Sequence, residues 1–533
     1  MKKAQGVFYF KKALPAIIAT TLVLVLPLGA VFLKAFAVKG QFISVLTDSY
    51  TWKLTAFTVL ESALGALISI LLALPFAAFF SRYDFRGRKA LLTISDAAFA
   101  VPAILVILGF VIFYGNNGIL NKILNSNVKI LYSFKAIILA LVYLNFPVAF
   151  SLITTSLISM PDTEEKASFL LGASPFCTFF KITLPKLKGM LLSVFSLIFL
   201  FCFPAFLIVM TLGGSPKYYI LEAEIYKRTY IDANPSSSAA LALFSFCLMV
   251  ILLLLTGYNK SQNKASRAKH QLKIAKGKNK IIAYLLSILI FLFMAPPVLA
   301  IFYMAFFTKD GSFTLKAWTD IVRRHNSGAG TGINAIINSL SLAFVSAFIS
   351  TRMACSIALY SVRKKNNFIT LLTSLPMATG SVTLGLGYAF VSIALPIKNI
   401  FTSYILVLLA HMVVVLPFAV KTLLPAAQKI PEVLSRCSWT LGASDKDTYY
   451  KIQYPMLKSH RKKAFAFAFA LSLGEVNATL ALGEGRITTL PVLIYKMISQ
   501  YNYQGASALA TILLLIAILV FAVGETGEKN ELS

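Results

Sequence analysis

Two stretches decide how this chain is read: PDTEEKASFLLGASPFCTFFKITLPKLK at 161–188 and PEVLSRCSWTLGASDKDTYYKIQYPMLK at 431–458. They align without gaps at an offset of 270 residues, with twelve of 28 positions identical. The identities include the LGAS tetrapeptide, Lys181-Ile182 with Lys451-Ile452, and Pro185 with Pro455. Each stretch reads as a short helix, a glycine break (Gly172, Gly442) and a second amphipathic helix that ends at a proline. Pro161 and Pro431 suit the first turn of a helix, where the missing N–H costs nothing. Loop sequence normally drifts because few contacts constrain it. A loop held similar in both halves of one chain points to the same kind of partner for each copy; the alternative is a shared folding turn.

The repeat extends outward from these loops. Pro147 matches Pro417, TLGGS (211–215) matches ALGEG (481–485), and Ile225-Tyr226-Lys227 matches Ile494-Tyr495-Lys496. The surrounding sequence is strongly apolar. Of 533 residues, 58% are hydrophobic and 13% charged, with a mean hydropathy of +0.78. A soluble protein carries about 25% charged residues, so this composition excludes a soluble enzyme and a disordered chain. Twelve stretches approach the ~20 apolar residues that a spanning helix needs. They lie at 13–38, 54–80, 90–114, 134–158, 189–212, 237–258, 281–307, 334–360, 368–394, 400–424, 462–483 and 504–526. The expected fold is an all-α polytopic membrane protein of about twelve transmembrane helices. It divides into a first six-helix half (1–258), a basic linker (259–280) and a second six-helix half (281–533).

Fifty Lys+Arg against twenty Asp+Glu give a net charge of +30. With the N-terminus inside and the spans alternating, the inner segments hold 33 of the basic residues and the outer loops 15. That bias predicts both termini in the cytoplasm. It accounts for most of the excess without nucleic acid, and both 161–188 and 431–458 then lie on the cytoplasmic side.

The five cysteines are scattered, with no CxxC pair, and the four histidines form no HExxH cluster. Neither a disulfide framework nor a metal site is expected. Ionisable residues inside spans are site candidates by default: Glu61, Asp96, Arg352, His411 and Glu475. Most of these are expected to fix helix packing. Glu475 stands apart because its counterpart in the first half is Ala205, so the repeat loses its symmetry there. Pro102 and Pro376 interrupt comparable spans, and Gly380, Gly385 and Gly387 follow the second. Such breaks are tolerated where neighbours satisfy the backbone.

The two loops resemble the EAA-type motif of ABC importer permeases. KASFLLG-x9-ITLP (166–185) and RCSWTLG-x9-IQYP (436–455) keep the glycine, the spacing and the proline. Lys166 and Arg436 stand where the family has Glu, and Glu165 lies one residue earlier in the first copy only. TDSYTWKLTAF (47–57), YDFRGRKALL (83–92), FYGNNGIL (113–120), FLFCFPAFLIVMTLGGSPKYYILEAEIYK (199–227) and SLGEVNATLALGEGRITTLPVLIYKMIS (472–499) are similar to fused permeases for thiamine, with those for iron(III) close behind. The resemblance implies a type I importer fold of two six-helix bundles around a path, in the inner membrane. It implies two cytoplasmic ATPase subunits, a periplasmic or lipid-anchored binding protein and surrounding lipid as partners, with no nucleic acid. It further implies ATPase-coupling roles for Glu165, Lys166, Gly172, Ala173, Pro185, Arg436, Gly442, Ala443 and Pro455. Substrate-path candidates are Glu475 and Glu61, since a cationic cargo would be drawn to a carboxylate, together with Gly213 and Gly483. No G-x-x-x-x-G-K-[ST] phosphate loop occurs in the chain, so no catalytic residue and no cofactor is expected here, and ATP-Mg is expected in the partner subunits. A self-contained secondary transporter is the rival reading. A membrane enzyme is not supported, because no nucleophile–base pair stands out.

Overall fold

The structure, a computed structural model, describes residues 7–98, 101–214, 217–255, 272–308, 310–322, 331–364, 367–396, 399–482 and 487–529. Among these, ten helices are long and apolar enough to cross a membrane. An eleventh span is a bent pair, Leu372–Ala378 with Ser381–Ala394, which turns by 100°. The described residues hold one pair of short strands, Tyr83–Asp84 parallel to Lys273–Ile274.

Three more apolar stretches of the sequence are broken rather than continuous. The stretch at 90–114 becomes Arg88–Ala98 and Ala103–Tyr114, with Pro102 just ahead of the second helix. The stretch at 462–483 becomes Lys458–Leu473 and Asn477–Leu482, parted at Gly474. Its first-half counterpart breaks at the same place, between Leu184–Cys202 and Phe206–Leu212. Hydropathy counts residues and not backbone continuity, so it joins the pieces. The breaks survive because they sit in the middle of the bundle, where protein rather than lipid surrounds the freed backbone groups.

The opening helix of each half reaches across to the other half. Val7–Ala35 packs against Gly332–Lys364 and Ser381–Ala394. Lys278–Phe306 packs against Ala103–Tyr114. The two contacts use the same device. A Cβ added to Gly387 would lie 2.5 Å from the Pro27 carbonyl oxygen, and one added to Gly109 would lie 2.5 Å from the Pro297 carbonyl oxygen. Pro27 and Pro297 are separated by the repeat offset of 270. A tyrosine hydroxyl secures each contact, from Tyr388 to the Val23 carbonyl at 2.6 Å and from Tyr143 to the Met294 carbonyl at 2.5 Å.

The outward faces are apolar, as lipid requires. On Lys278–Phe306 the exposed side chains include Ile281, Leu285, Ile288 and Leu292, a stripe at helical spacing. Polar side chains turn inward instead. Glu222, buried in helix Leu221–Tyr230, accepts hydrogen bonds from the Thr383 amide at 3.2 Å and the Thr383 hydroxyl at 2.9 Å. It thereby caps Ser381–Ala394 from the opposite half, an anion placed at a helix N-terminus.

Candidate functional site: paired hairpins and a central cavity

The two repeated loops fold as matching helical hairpins. The first runs through Thr163–Leu170 and Pro175–Thr178, the second through Glu432–Thr440 and Asp445–Asp447. Gly172 and Gly442 take φ of +81° and +82°. The Gly172 amide reaches the Phe169 carbonyl and the Ala173 amide the Ser168 carbonyl, both at 3.0 Å. The Gly442 and Ala443 amides repeat this on Trp439 and Ser438. This is the Schellman helix end, which favours glycine at its left-handed position. Ser174 and Ser444 then cap the next turn by accepting from the Cys177 and Asp447 amides. Each hairpin is closed by a hydroxyl pair, Ser168 with Thr178 at 2.8 Å and Ser438 with Thr448 at 2.7 Å. The residues shared by the two copies are thus largely those that shape the hairpin. Pro185 and Pro455 lie within the first turn of the helices that leave it.

The charges flanking the glycines divide by direction. Glu165 turns toward the bundle, 3.1 Å from Arg82 and 2.5 Å from the Thr183 hydroxyl. The corresponding second-half positions keep the contact with the residue sizes exchanged: the Gln453 amide donates to the Ser435 hydroxyl at 3.0 Å, and Tyr9 donates to Gln453 at 2.9 Å. Lys166 and Arg436 stay at the surface in i,i+4 pairs with Asp162 and Glu432, at 2.8 and 3.0 Å. Glu165 is therefore a tether from hairpin to bundle, and Lys166 and Arg436 are the charges on offer at the surface. What the tips present is apolar: Leu171 is 88% exposed and Leu441, its repeat mate, 86%. Two bare leucines at matched positions form a surface suited to burial against a partner.

On the second hairpin, the Lys451 ammonium and the Ser444 hydroxyl hold the Asp447 carboxyl down at about 2. Its folded value lies below its unfolded one, so whatever it contributes is present above about pH 4 and is lost as the pH falls toward 2. Between pH 5 and 9, Asp447→Asn is expected to leave the shape of a transport–pH profile unchanged.

Between the halves lies a cavity of about 270 Å³, near the ~300 Å³ lower bound of small-ligand sites. Pro102, Asn145 and Ala205 line it from the first half, and Ser381, Glu475 and Asn477 from the second. Among the described residues, Glu475 is the one acidic side chain in its lining. One carboxylate oxygen accepts from the Ala478 amide at 3.0 Å, capping Asn477–Leu482. Ala205, its repeat mate, lines the same cavity, so the loss of symmetry visible in the sequence falls where the halves meet. Behind the cavity the halves differ again. His411 bonds Ser472 at 2.8 Å and Thr479 at 3.0 Å, and Ser346 donates to Ser472 at 2.8 Å. In the first half Leu141 and Cys202 stand opposite His411 and Ser472, and, with Thr58 set opposite Ser339, Gly65 stands opposite Ser346 and lies against both.

The other path candidates lie elsewhere. Glu61 is buried in Ser49–Phe80 and is not part of the cavity lining, and neither carboxylate oxygen has a hydrogen-bond partner among the described residues. Gly213 ends Phe206–Leu212 outside the cavity, and a Cβ there would meet the Val209 carbonyl at 2.6 Å and Ile137 at 2.9 Å. Gly483 lies outside the described residues. Sequence reasoning missed Glu222, Arg82 and Arg363. For Glu222 a signal existed: with Leu221 set opposite Leu490, whose amides are capped by Thr58 and Ser339, it falls opposite Pro491 and breaks the repeat as Glu475 does.

Known proteins agree with this architecture. Residues 65–264 match the family of binding-protein-dependent transport system inner membrane components. Over nearly its whole length the chain is similar to the thiamine transport system permease proteins of Haemophilus influenzae and Escherichia coli. The first is 29% identical, over 93% of this chain and 92% of the relative. The second is 26% identical, over 96% of each. The ferric transport system permease protein of Actinobacillus pleuropneumoniae is 24% identical, over 99% of this chain and 80% of its own. On these matches the protein is a multi-pass inner-membrane permease, the transport subunit of a binding-protein-dependent ABC importer.

Proposed function

We propose that this permease imports thiamine or its phosphates, with both termini in the cytoplasm and two ATPase subunits docked on the paired hairpins. The observation that carries the cargo reading is Glu475. Thiamine bears a permanent positive charge, and among the described residues this is the one carboxylate lining the cavity where the halves meet. A carboxylate removed from water interacts with a cation far more strongly than an exposed one does. The full-length relatives named for thiamine transport support the same cargo.

The hairpins are rigid enough to transmit force. Their internal caps and hydroxyl pairs fix their shape, and Glu165 and Gln453 tie them to the bundle. The exposed Leu171 and Leu441 present apolar surface for the ATPases to cover. ATP, with magnesium, is bound and hydrolysed in those partners. Closure of the ATPase pair draws the hairpins together, and the two halves rock about the central cavity, opening it to the periplasm, where a binding protein delivers cargo.

The test is uptake by the reconstituted complex with labelled thiamine, competed by thiamine phosphates and by iron(III). Glu475→Gln keeps an oxygen to accept from the Ala478 amide while removing the charge. Unit charges about 4 Å apart attract by roughly 4 kcal/mol at an effective dielectric of about 20, so thiamine uptake at low concentration should fall about tenfold or more. Assembly and thermal stability should hold. Unchanged uptake kinetics would take Glu475 out of the path, and competition by iron(III) alone would replace the cargo.

A further inference from the structure

A second cavity of about 570 Å³ opens at the hairpin end of the second half, between Gly332–Lys364, Lys458–Leu473 and Tyr503–Lys529. We propose that it holds the headgroup of an anionic phospholipid. Four cations line it: Arg352, Lys458, Arg461 and Lys462. None of the four has a carboxylate within ion-pair distance among the described residues. The next acids along the last helix, Glu525 and Glu528, lie outside the described side chains. The Arg461 Nε is buried without a hydrogen-bond partner, although its guanidinium lies 3.5 Å from the Tyr454 ring centroid. A buried, charged donor left unpaired is costly, and a phosphate oxygen would satisfy it. The Arg352 guanidinium lies over the Phe348 ring at 4.8 Å, where its long stem can reach toward the interface.

The occupant is a lipid rather than a free phosphate because the floor is apolar. Phe348, Phe465 and Val523 line the cavity, and Phe348 and Val523 are also exposed on the outer face. Acyl chains can follow that surface out of the cavity, whereas inorganic phosphate gains nothing from it. Basic pockets between helices at the cytoplasmic boundary are where anionic headgroups bind. The repeat shows that the cluster is not needed for the fold. With Thr58 set opposite Ser339 and Pro185 opposite Pro455, Arg352, Arg461 and Lys462 fall opposite Leu71, Leu191 and Leu192, and Lys188 alone keeps its charge. Only the leaflet, the cytoplasmic one, rests on the orientation proposed above; a lipid titration reads the site in either orientation.

The experiment is native mass spectrometry of the delipidated importer complex titrated with dioleoyl phosphatidylglycerol, dioleoyl phosphatidylcholine or inorganic phosphate. Lys458 and Lys462 are both exposed, so the K458Q/K462Q double variant should fold. Each basic group near a membrane surface adds about fivefold in affinity for anionic lipid. The wild type should retain phosphatidylglycerol in preference to phosphatidylcholine, and the double variant should bind it about fivefold or more weakly. Lys188→Gln should bind as the wild type does, and millimolar phosphate should not displace the lipid. Equal retention of the two lipids, undiminished binding by the double variant, an equal loss in Lys188→Gln, or displacement by phosphate would each overturn the proposal.

Discussion

Valine at Gly387 or at Gly109 is expected to prevent stable assembly of the permease. Both glycines lie where a proline-bearing opening helix crosses into the opposite half, and the atom that a Cβ would strike is a backbone carbonyl oxygen at 2.5 Å. A side-chain tip could swing aside, but a helix backbone can move only as a body. Inserting one carbon into a close-packed contact typically costs 1–3 kcal/mol, and valine inserts three. Displacing Val7–Ala35 also pulls the Tyr388 hydroxyl from the Val23 carbonyl, leaving both buried groups unpaired at about 1–3 kcal/mol. Against a typical stability of 5–15 kcal/mol, the sum removes much of the margin. The measurement is recovery of monodisperse protein in mild detergent, with its melting temperature. Gly29→Ala is the control, because a Cβ there meets nothing within 4 Å, and it should melt with the wild type. Recovery of Gly387→Val at wild-type level and stability would mean that the crossing helix is not held by this contact.

The helical class, the repeat and the paired loops were legible in the sequence because each is a local property. Apolar runs announce spans, and LGAS at an offset of 270 announces the hairpins. What was not legible is relational. Nothing near Pro27 or Pro297 says that its helix will rest on a glycine of the other half. The breaks at Gly474 and Pro102 were hidden because a window average treats two short helices as one long one. The resemblance gives Glu165 an ATPase-coupling role beside Lys166, and its contact with Arg82 at 3.1 Å spans 83 residues of chain that no local pattern bridges. Gly213 stands among the path candidates, and the closeness of the Val209 carbonyl and Ile137 to it is a contact no local pattern announces. Glu475 was legible because symmetry was available as a reference, and a residue that departs from its repeat mate can be noticed without knowing what it touches.

That same symmetry exposes how each hairpin is tied to its bundle. When the helices Ser49–Phe80 and Gly332–Lys364 are superposed on Thr58 and Ser339, Arg82 falls opposite Arg363. Each half thus places an arginine where its second long helix ends, aimed at its own hairpin, but the bonds differ. Arg82 holds Glu165 at 3.1 Å, with both side chains mostly buried. Arg363 lies 3.9 Å from Asp445, with its guanidinium over the Trp439 ring at 4.2 Å and the Tyr9 ring at 4.8 Å. Burial raises the Asp445 carboxyl, and the Arg363 charge partly offsets that rise. Cation–π contacts contribute about 0.5–2 kcal/mol each, so Arg363→Ala should loosen the second hairpin by about 2 kcal/mol without touching its exposed face. The expected result is uncoupling: ATP hydrolysis by the assembled complex persists while uptake falls about tenfold or more. The lysine variants separate the two tethers. Arg82→Lys can still reach Glu165 and should retain most uptake. Arg363→Lys keeps the charge but loses the planar group that stacks on both rings, so it should behave more like the alanine variant. The readout is the ratio of substrate moved to ATP hydrolysed in proteoliposomes. If that ratio stayed at the wild-type value in Arg363→Ala, the second hairpin would be transmitting force without its arginine tether, and coupling would have to run through Gln453 and Tyr9 alone.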